Sequence, residues 1–71
     1  MEKLETFQIL ELMKLIEEVQ LEYPDWRKGQ TFFNVLYNLY PEMADEIRGS
    51  EIDPFYIDDN INKCLSYISK K

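Results

Sequence analysis

Residues 26–40 read WRKGQTFFNVLYNLY and carry the clearest helical pattern of this 71-residue chain. Apolar side chains recur there at steps of three and four, so they fall on one side of a helix. That side holds Trp26, Gly29, Phe32, Phe33, Leu36, Leu39 and Tyr40. The pattern predicts a helix over residues 26–40 with Asp25 as its N-cap. Because glycine is a poor helix former, Gly29 indicates that another backbone passes close to this side.

The preceding segment predicts one long helix over residues 3–22, which contains neither Gly nor Pro. This helix ends where Tyr23 meets Pro24, because a residue before proline disfavours the helical conformation. One apolar stripe is formed by Ile9, Leu12, Leu15, Ile16 and Val19. A second apolar set, lying off that stripe, is formed by Leu10, Met13 and Leu21. The helix therefore either touches several neighbours or carries spare apolar surface, and spare surface would suit a homodimer through helix 1.

A short third helix is predicted directly after the second. Pro41 fits the first position of a helix, because it has no N–H to satisfy and its φ angle is already helical. Ala44 and Ile47 would face inward, and Gly49 suits the position just after the helix end.

Residues 50–56, called the connector below, contain the turn-forming pair Asp53-Pro54. Asp58 or Asp59 is expected to cap a last helix. The apolar face of that helix is formed by Ile57, Ile61, Cys64, Leu65 and Ile68. No alternating pattern is long enough to predict a strand. The sequence therefore predicts one domain over residues 1–71, with an all-α fold built as a compact bundle of three to four helices.

The charge is acidic and unevenly distributed. The chain has 8 Lys and Arg against 14 Asp and Glu, a net charge of −6. Residues 42–59 concentrate the acids, with Arg48 as the only base among them. The acids of this segment are Glu42, Asp45, Glu46, Glu51, Asp53, Asp58 and Asp59. The segment is either a solvated face that keeps the protein soluble or a surface complementary to a basic partner, and the acidity argues against direct binding to nucleic acid.

The residue types present argue against an enzyme. The sequence has no His, the commonest general base, and a single cysteine, Cys64. The spacing of the acids after Ser50 does not fit a calcium-binding loop, and no glycine-rich phosphate loop or Cys/His metal set is present. We therefore expect no catalytic residue, no metal and no cofactor, with Cys64 as a small buried hydrophobe.

The location is predicted from what the sequence lacks. The first residues show no secretory signal pattern, and no apolar stretch is long enough to span a membrane. A lone cysteine suits a reducing compartment. The expectation is the cytoplasm, with no contact to membranes.

The polar side of the second predicted helix carries amides and a hydroxyl instead of the usual Lys and Glu. It is formed by Arg27, Gln30, Thr31, Asn34 and Asn38. One interpretation is that Gln30 and Asn34 hydrogen-bond the connector backbone. The other is a recognition surface anchored by Arg27, since Arg is enriched at binding hot spots. Phe55 and Tyr56 would likewise either pack the connector onto the core or serve as binding anchors.

A family resemblance rests on residues 26–56. The motifs are WRxGQxxFNxL at residues 26–36, then Pro41 and Ala44, IRGS at residues 47–50 and DPFY at residues 53–56. This ordered set resembles a pattern found in small uncharacterised proteins of bacteriophages and prophages, in which Thr is more frequent at the position of Ser50. The resemblance implies a phage or mobile-element accessory protein in the bacterial host cytoplasm, and it implies no activity.

The leading hypothesis is a phage-type, non-enzymatic binding protein that engages a host or phage protein, such as an inhibitor of a defence or nucleic-acid-processing factor. The residues expected to contact that partner are Arg27, Gln30, Asn34, Glu46, Glu51 and Asp58. The alternative is a self-assembling structural accessory protein that uses helix 1. The connector is expected to dock on the second helix in either case.

Overall fold

The computed structural model describes residues 2–70, which form four α-helices and no strand. Helix α1 spans Thr6–Glu22, α2 spans Lys28–Leu39, α3 spans Pro41–Ile47 and α4 spans Asn60–Ile68. Helix α2 is central, because it packs against each of the other three. The buried apolar core is formed by Leu4, Leu12, Phe32, Phe33, Val35, Leu36, Met43, Ala44, Ile47, Cys64 and Ile68. The predicted all-α bundle is confirmed.

Helix α1 begins three residues later than predicted, because the residues before it are extended. Leu4 forms an isolated parallel bridge with Ser69. Its N–H donates to the carbonyl of Ile68 at 2.7 Å, and its carbonyl accepts from the N–H of Lys70 at 2.8 Å. With both backbone groups of Leu4 used in this bridge, the helix can begin only after it.

Helix α2 also begins later than predicted, and its N-cap is Arg27 instead of Asp25. The reason is a turn that keeps Trp26 out of the helix. The side-chain amide of Gln20 donates to the carbonyl of Trp26 at 2.8 Å. The indole of Trp26 stacks on the ring of Tyr23, with 4.3 Å between the ring centroids. These contacts hold the turn after Pro24, so the prediction of Asp25 as a cap is wrong.

The junction between α2 and α3 follows the local sequence. Leu39 is the last residue of α2, Tyr40 is its C-cap, and Pro41 is the first residue of α3, as predicted for Pro41. Gly49 follows the end of α3 with φ at +75°, the left-handed conformation that glycine adopts without strain. Ala44 and Ile47 are buried.

Three side chains lie elsewhere than predicted. Thr31, placed on the polar side of α2, is fully buried, and its hydroxyl donates to the carbonyl of Arg27 at 3.2 Å. Leu39, placed on the apolar side, is exposed near the end of α2. Ile57 precedes α4 and is exposed, so it is not part of the inner face of that helix.

The start of α4 has no side-chain cap of its own. Asp59 occupies the N-cap position, but its side chain makes no cap hydrogen bond. The carboxylate of Asp58 reaches α2 instead, where it accepts from the N–H of Gly29 at 3.0 Å. Asp59 therefore occupies the predicted N-cap position without the predicted cap hydrogen bond, and Asp58 satisfies an N-terminal N–H of a different helix.

Candidate protein-interaction surface

Asp53 folds the connector by accepting two backbone hydrogen bonds. One carboxylate oxygen accepts from the N–H of Gly49 at 2.7 Å, and the other accepts from the N–H of Phe55 at 2.9 Å. An aspartate that bonds the backbone two residues ahead makes a turn without help from distant residues. The connector therefore has a fixed shape at the point where Pro54 and Phe55 meet α2.

Asn60 holds the connector from the other side. Its side-chain amide donates to the carbonyls of Glu51 and Asp53, both at 3.0 Å, and the residue is buried. Gln30 and Asn34 were expected in this role, yet among residues 2–70 neither side chain hydrogen-bonds the connector backbone. The interpretation of these two residues as the backbone ties is wrong; the side chains of Asn60 and Arg27 bond the connector carbonyls instead.

Gly29 lets the connector approach α2 closely, as the sequence predicts. A Cβ atom built on Gly29 would overlap the carbonyl oxygen of Pro54 and lie 2.9 Å from a carboxylate oxygen of Asp58. Pro54 is fully buried at this contact. Only a glycine allows the connector to lie against the helix here, so the predicted docking of the connector on α2 is confirmed.

Arg27 closes the same contact at its solvent edge. Its guanidinium donates to the carbonyl of Phe55 and lies 3.7 Å from the carboxylate of Asp58. Both side chains are about half exposed, so the ion pair itself contributes little to stability. The structure brings these two predicted partner-binding residues together, and both have a role in holding the connector.

An aromatic surface results where the docked connector meets α2 and the end of α3. We call it the aromatic groove. It has a volume of about 390 Å³. Its lining residues are Phe33, Asn34, Tyr37, Arg48, Asp53, Phe55 and Tyr56. Phe55 packs edge-on against Phe33, with 5.9 Å between the ring centroids, and against Tyr56 at 4.7 Å.

The open side of the aromatic groove carries two tyrosines and an arginine. Tyr56 is 79% exposed and Tyr37 is 45% exposed. The guanidinium of Arg48 lies 5.1 Å from the ring centroid of Tyr37, within the range of a cation–π interaction. Asp45 lies 3.7 Å from the same guanidinium in an exposed ion pair.

The other residues predicted to bind a partner lie in different places. Asn34 lines the aromatic groove, and Gln30 is half-buried on α2. Glu51 is exposed on the connector. Glu46 accepts a hydrogen bond from the hydroxyl of Tyr67 at 3.0 Å, which raises the pKa of Tyr67. The six residues therefore do not form one patch.

Sequence reasoning missed Tyr37 and Arg48 as surface residues. Tyr37 follows Phe33 by one helical turn, and the two rings stack with 6.5 Å between their centroids. Arg48 is the single base within the acidic segment 42–59. That isolation was the available signal, and Arg48 does pair with the neighbouring acid Asp45.

Cys64 is buried in the core, as expected. Burial, with a smaller contribution from the negative charge of Asp53, raises the pKa of Cys64 to about 12. The thiol is therefore protonated near neutral pH, and the thiolate that a nucleophile or metal ligand requires is not formed.

Residues 2–70 contain no group of three or more acidic or sulfur side chains arranged to hold a metal ion. Within the same residues, no helix has the length and apolar character needed to cross a membrane.

Comparisons of the chain with protein-family models, with curated proteins and with solved structures find no match.

Proposed function

We propose that this chain is a non-enzymatic binding protein that engages a host or phage protein through the aromatic groove. The observation that carries the proposal is that Tyr37, Tyr56 and Arg48 share one open surface. Tyr and Arg are the residue types enriched at the energetic centres of protein interfaces. A rigid support lowers the entropy lost on binding, and Asp53 and Asn60 supply that support.

Exposed acids outside the aromatic groove favour a partner with a basic segment. Glu51 and Asp59 are exposed near the connector and have no ion-pair partner among the described residues. A Lys or Arg side chain of the partner would be attracted to these acids on approach. The phage context rests on the sequence resemblance, and an inhibitory role towards a defence or nucleic-acid-processing factor belongs to the same proposal.

The test is affinity capture from bacterial lysate with matched tyrosine variants. We expect wild type to retain a specific protein and the double variant Tyr37→Ala/Tyr56→Ala to lose it. Tyr67→Ala is the control, because Tyr67 is as exposed as Tyr37 and lies outside the aromatic groove. Circular dichroism establishes that all variants are folded. Retention of the same protein by the double variant would show that the aromatic groove is not the interface.

A second candidate function is self-assembly as a structural accessory protein. The observation that favours it is the exposure of Leu10 and Leu21 on α1, at 65% and 83%. Met13, the third residue of the set predicted from the sequence, is partly covered but still exposed. Sedimentation of the purified protein over a range of concentrations separates this function from monomeric partner binding.

A further inference from the structure

The outer face of α1 combines apolar and charged residues in a repeating order. Leu10, Lys14, Glu17 and Leu21 follow one another at steps of four, three and four, the spacing of a coiled-coil seam. All four are exposed. Leu12 is fully buried, and Leu21 lies nine residues later, which is about 180° around the helix. This outer face, defined by the four residues, therefore points directly away from the core.

The charged residues of the outer face have no partner within the described part of the chain. The ion pairs among residues 2–70 involve neither Lys14 nor Glu17. Lys14 is the only basic residue of α1, whose other charged side chains are glutamates. Charge complementarity to this face requires an acid opposite Lys14 and a base opposite Glu17.

A second copy of the same helix meets that requirement in one orientation. In an antiparallel pair, the register that places Leu10 opposite Leu21 of the second copy also places Lys14 opposite Glu17 of the second copy. The two-fold axis repeats both contacts, so the seam contains two leucine layers around two ion pairs. A parallel pair would place identical residues opposite each other, with Lys14 against Lys14.

The neighbouring antiparallel register is less favourable. It would place Phe7 opposite Leu21 of the second copy, and it would bring the two Lys14 side chains together at the axis. Like charges at the centre of an interface oppose association. The charge order of the outer face thus selects both the orientation and the register.

We propose that α1 forms an antiparallel two-fold homodimer in which Leu10 packs on Leu21 and Lys14 pairs with Glu17 of the second copy. The proposal rests on the self-assembly candidate and is independent of partner binding at the aromatic groove. Two helices of this length bury an interface at the small end of the usual range, so we expect reversible association in the micromolar range.

Charge exchange tests the pairing directly. Lys14→Glu alone sets Glu against Glu17, and Glu17→Lys alone sets Lys against Lys14, so each variant should raise the dissociation constant about tenfold or more. An equimolar mixture of the two variants restores both opposite-charge pairs and should dimerise like wild type. The double variant Lys14→Glu/Glu17→Lys should also recover. Analytical ultracentrifugation gives the dissociation constants, and circular dichroism confirms folding.

Cysteine pairing tests the orientation. Leu10→Cys mixed with Leu21→Cys should form a disulfide-linked heterodimer under mild oxidation. Leu10→Cys alone should not, because the introduced thiols of the two copies would lie ~16 Å apart along the seam. Cys64 is buried and does not compete.

Three results would overturn the proposed dimer, and each points to a different cause. A wild-type protein that is monomeric at about 500 μM has no self-assembly of the expected strength. A wild-type dimer that is unaffected by the single charge variants self-assembles through another surface. Efficient crosslinking of Leu10→Cys with itself would establish a parallel pair.

Discussion

Gly29 is the residue at which the connector and α2 come closest. Its N–H donates to Asp58, and its missing side chain leaves room for the carbonyl of Pro54. The chain accepts an unfavourable helix residue here because the connector could not otherwise reach the helix.

Gly29→Ala should destabilise the fold by about 2 kcal/mol, because the connector must move away to admit the methyl group. Such a loss is a large part of the ~3–5 kcal/mol that a domain of this size holds. Urea unfolding of wild type and Gly29→Ala measures this loss of unfolding free energy. Gly49→Asn is the control, because no atom lies within 4 Å of the Cβ position at Gly49 and Asn tolerates its positive φ. A Gly29→Ala variant as stable as wild type would contradict the close approach.

Cys64 predicts a loss of stability in alkaline solution. Its thiol has an ordinary pKa of 9.0 when exposed in the unfolded chain, and burial raises that pKa to about 12 in the folded protein. The unfolded state therefore releases its proton first, and the stability present below pH 9 declines as the pH rises towards 12. One pKa unit corresponds to ~1.4 kcal/mol, so the full loss is about 4 kcal/mol.

The measurement compares wild type with Cys64→Ala by urea unfolding at pH 8 and pH 11. At pH 8 the variant should be less stable, because it leaves a small cavity in the core. At pH 11 the difference should shrink or reverse, since the variant has no thiol to ionise. Titration of Tyr and Lys side chains affects both proteins alike. A difference that stays constant between the two pH values would rule out the perturbed thiol.

Among the helices and turns, the features that could be predicted from the sequence are those that depend on neighbouring residues. The break between α2 and α3 at Pro41 and the turn at Gly49 depend on the backbone preferences of single residues, and both were predicted. The spacing of apolar residues that predicts α2 likewise depends only on residues within that helix. These features need no knowledge of the rest of the fold.

The start of α1 could not be predicted because distant residues decide it, and the late start of α2 follows from the turn at Trp26. Leu4 is drawn out of α1 by Ser69, and Asp58 serves α2 instead of α4. Asn60, which holds the connector, resembles any polar residue in a first helical turn. The aromatic groove was missed for the same reason, since it exists only once the connector has docked. The pairings of Gly29 with Asp58 and of Leu4 with Ser69 join residues far apart in the sequence, so they leave no mark in local sequence patterns.

At the scale of the whole molecule, the acidic segment bears on the rate of binding. Asp58 holds the connector, so its removal would confuse lost folding with lost binding. Glu46, Glu51 and Asp59 are the better set, because they are exposed and neither Glu51 nor Asp59 has a side-chain hydrogen bond within residues 2–70. Glu46→Gln keeps an oxygen that can accept from Tyr67.

The triple variant Glu46→Gln/Glu51→Gln/Asp59→Asn should slow association with the captured partner severalfold and leave unfolding nearly unchanged. The effect should fade with salt, because the Debye length falls from ~10 Å at 0.1 M to ~3 Å at 1 M. Stopped-flow kinetics at two salt concentrations measure it. The control Glu11→Gln/Glu22→Gln/Asp25→Asn removes the same charge elsewhere. If the triple variant and the control variant associate with the partner at the same rate, the acids of segment 42–59 only keep the protein soluble.

The bridge between Leu4 and Ser69 has a consequence for linking this protein to others. Adjacent paired backbones lie about 5 Å apart, so the chain enters and leaves the fold at nearly the same point. The protein could therefore be inserted as a guest into a surface loop of a host enzyme without forcing that loop open. Unfolding of the guest would separate the two attachment points and stretch the host, so host activity would report whether this small bundle is folded.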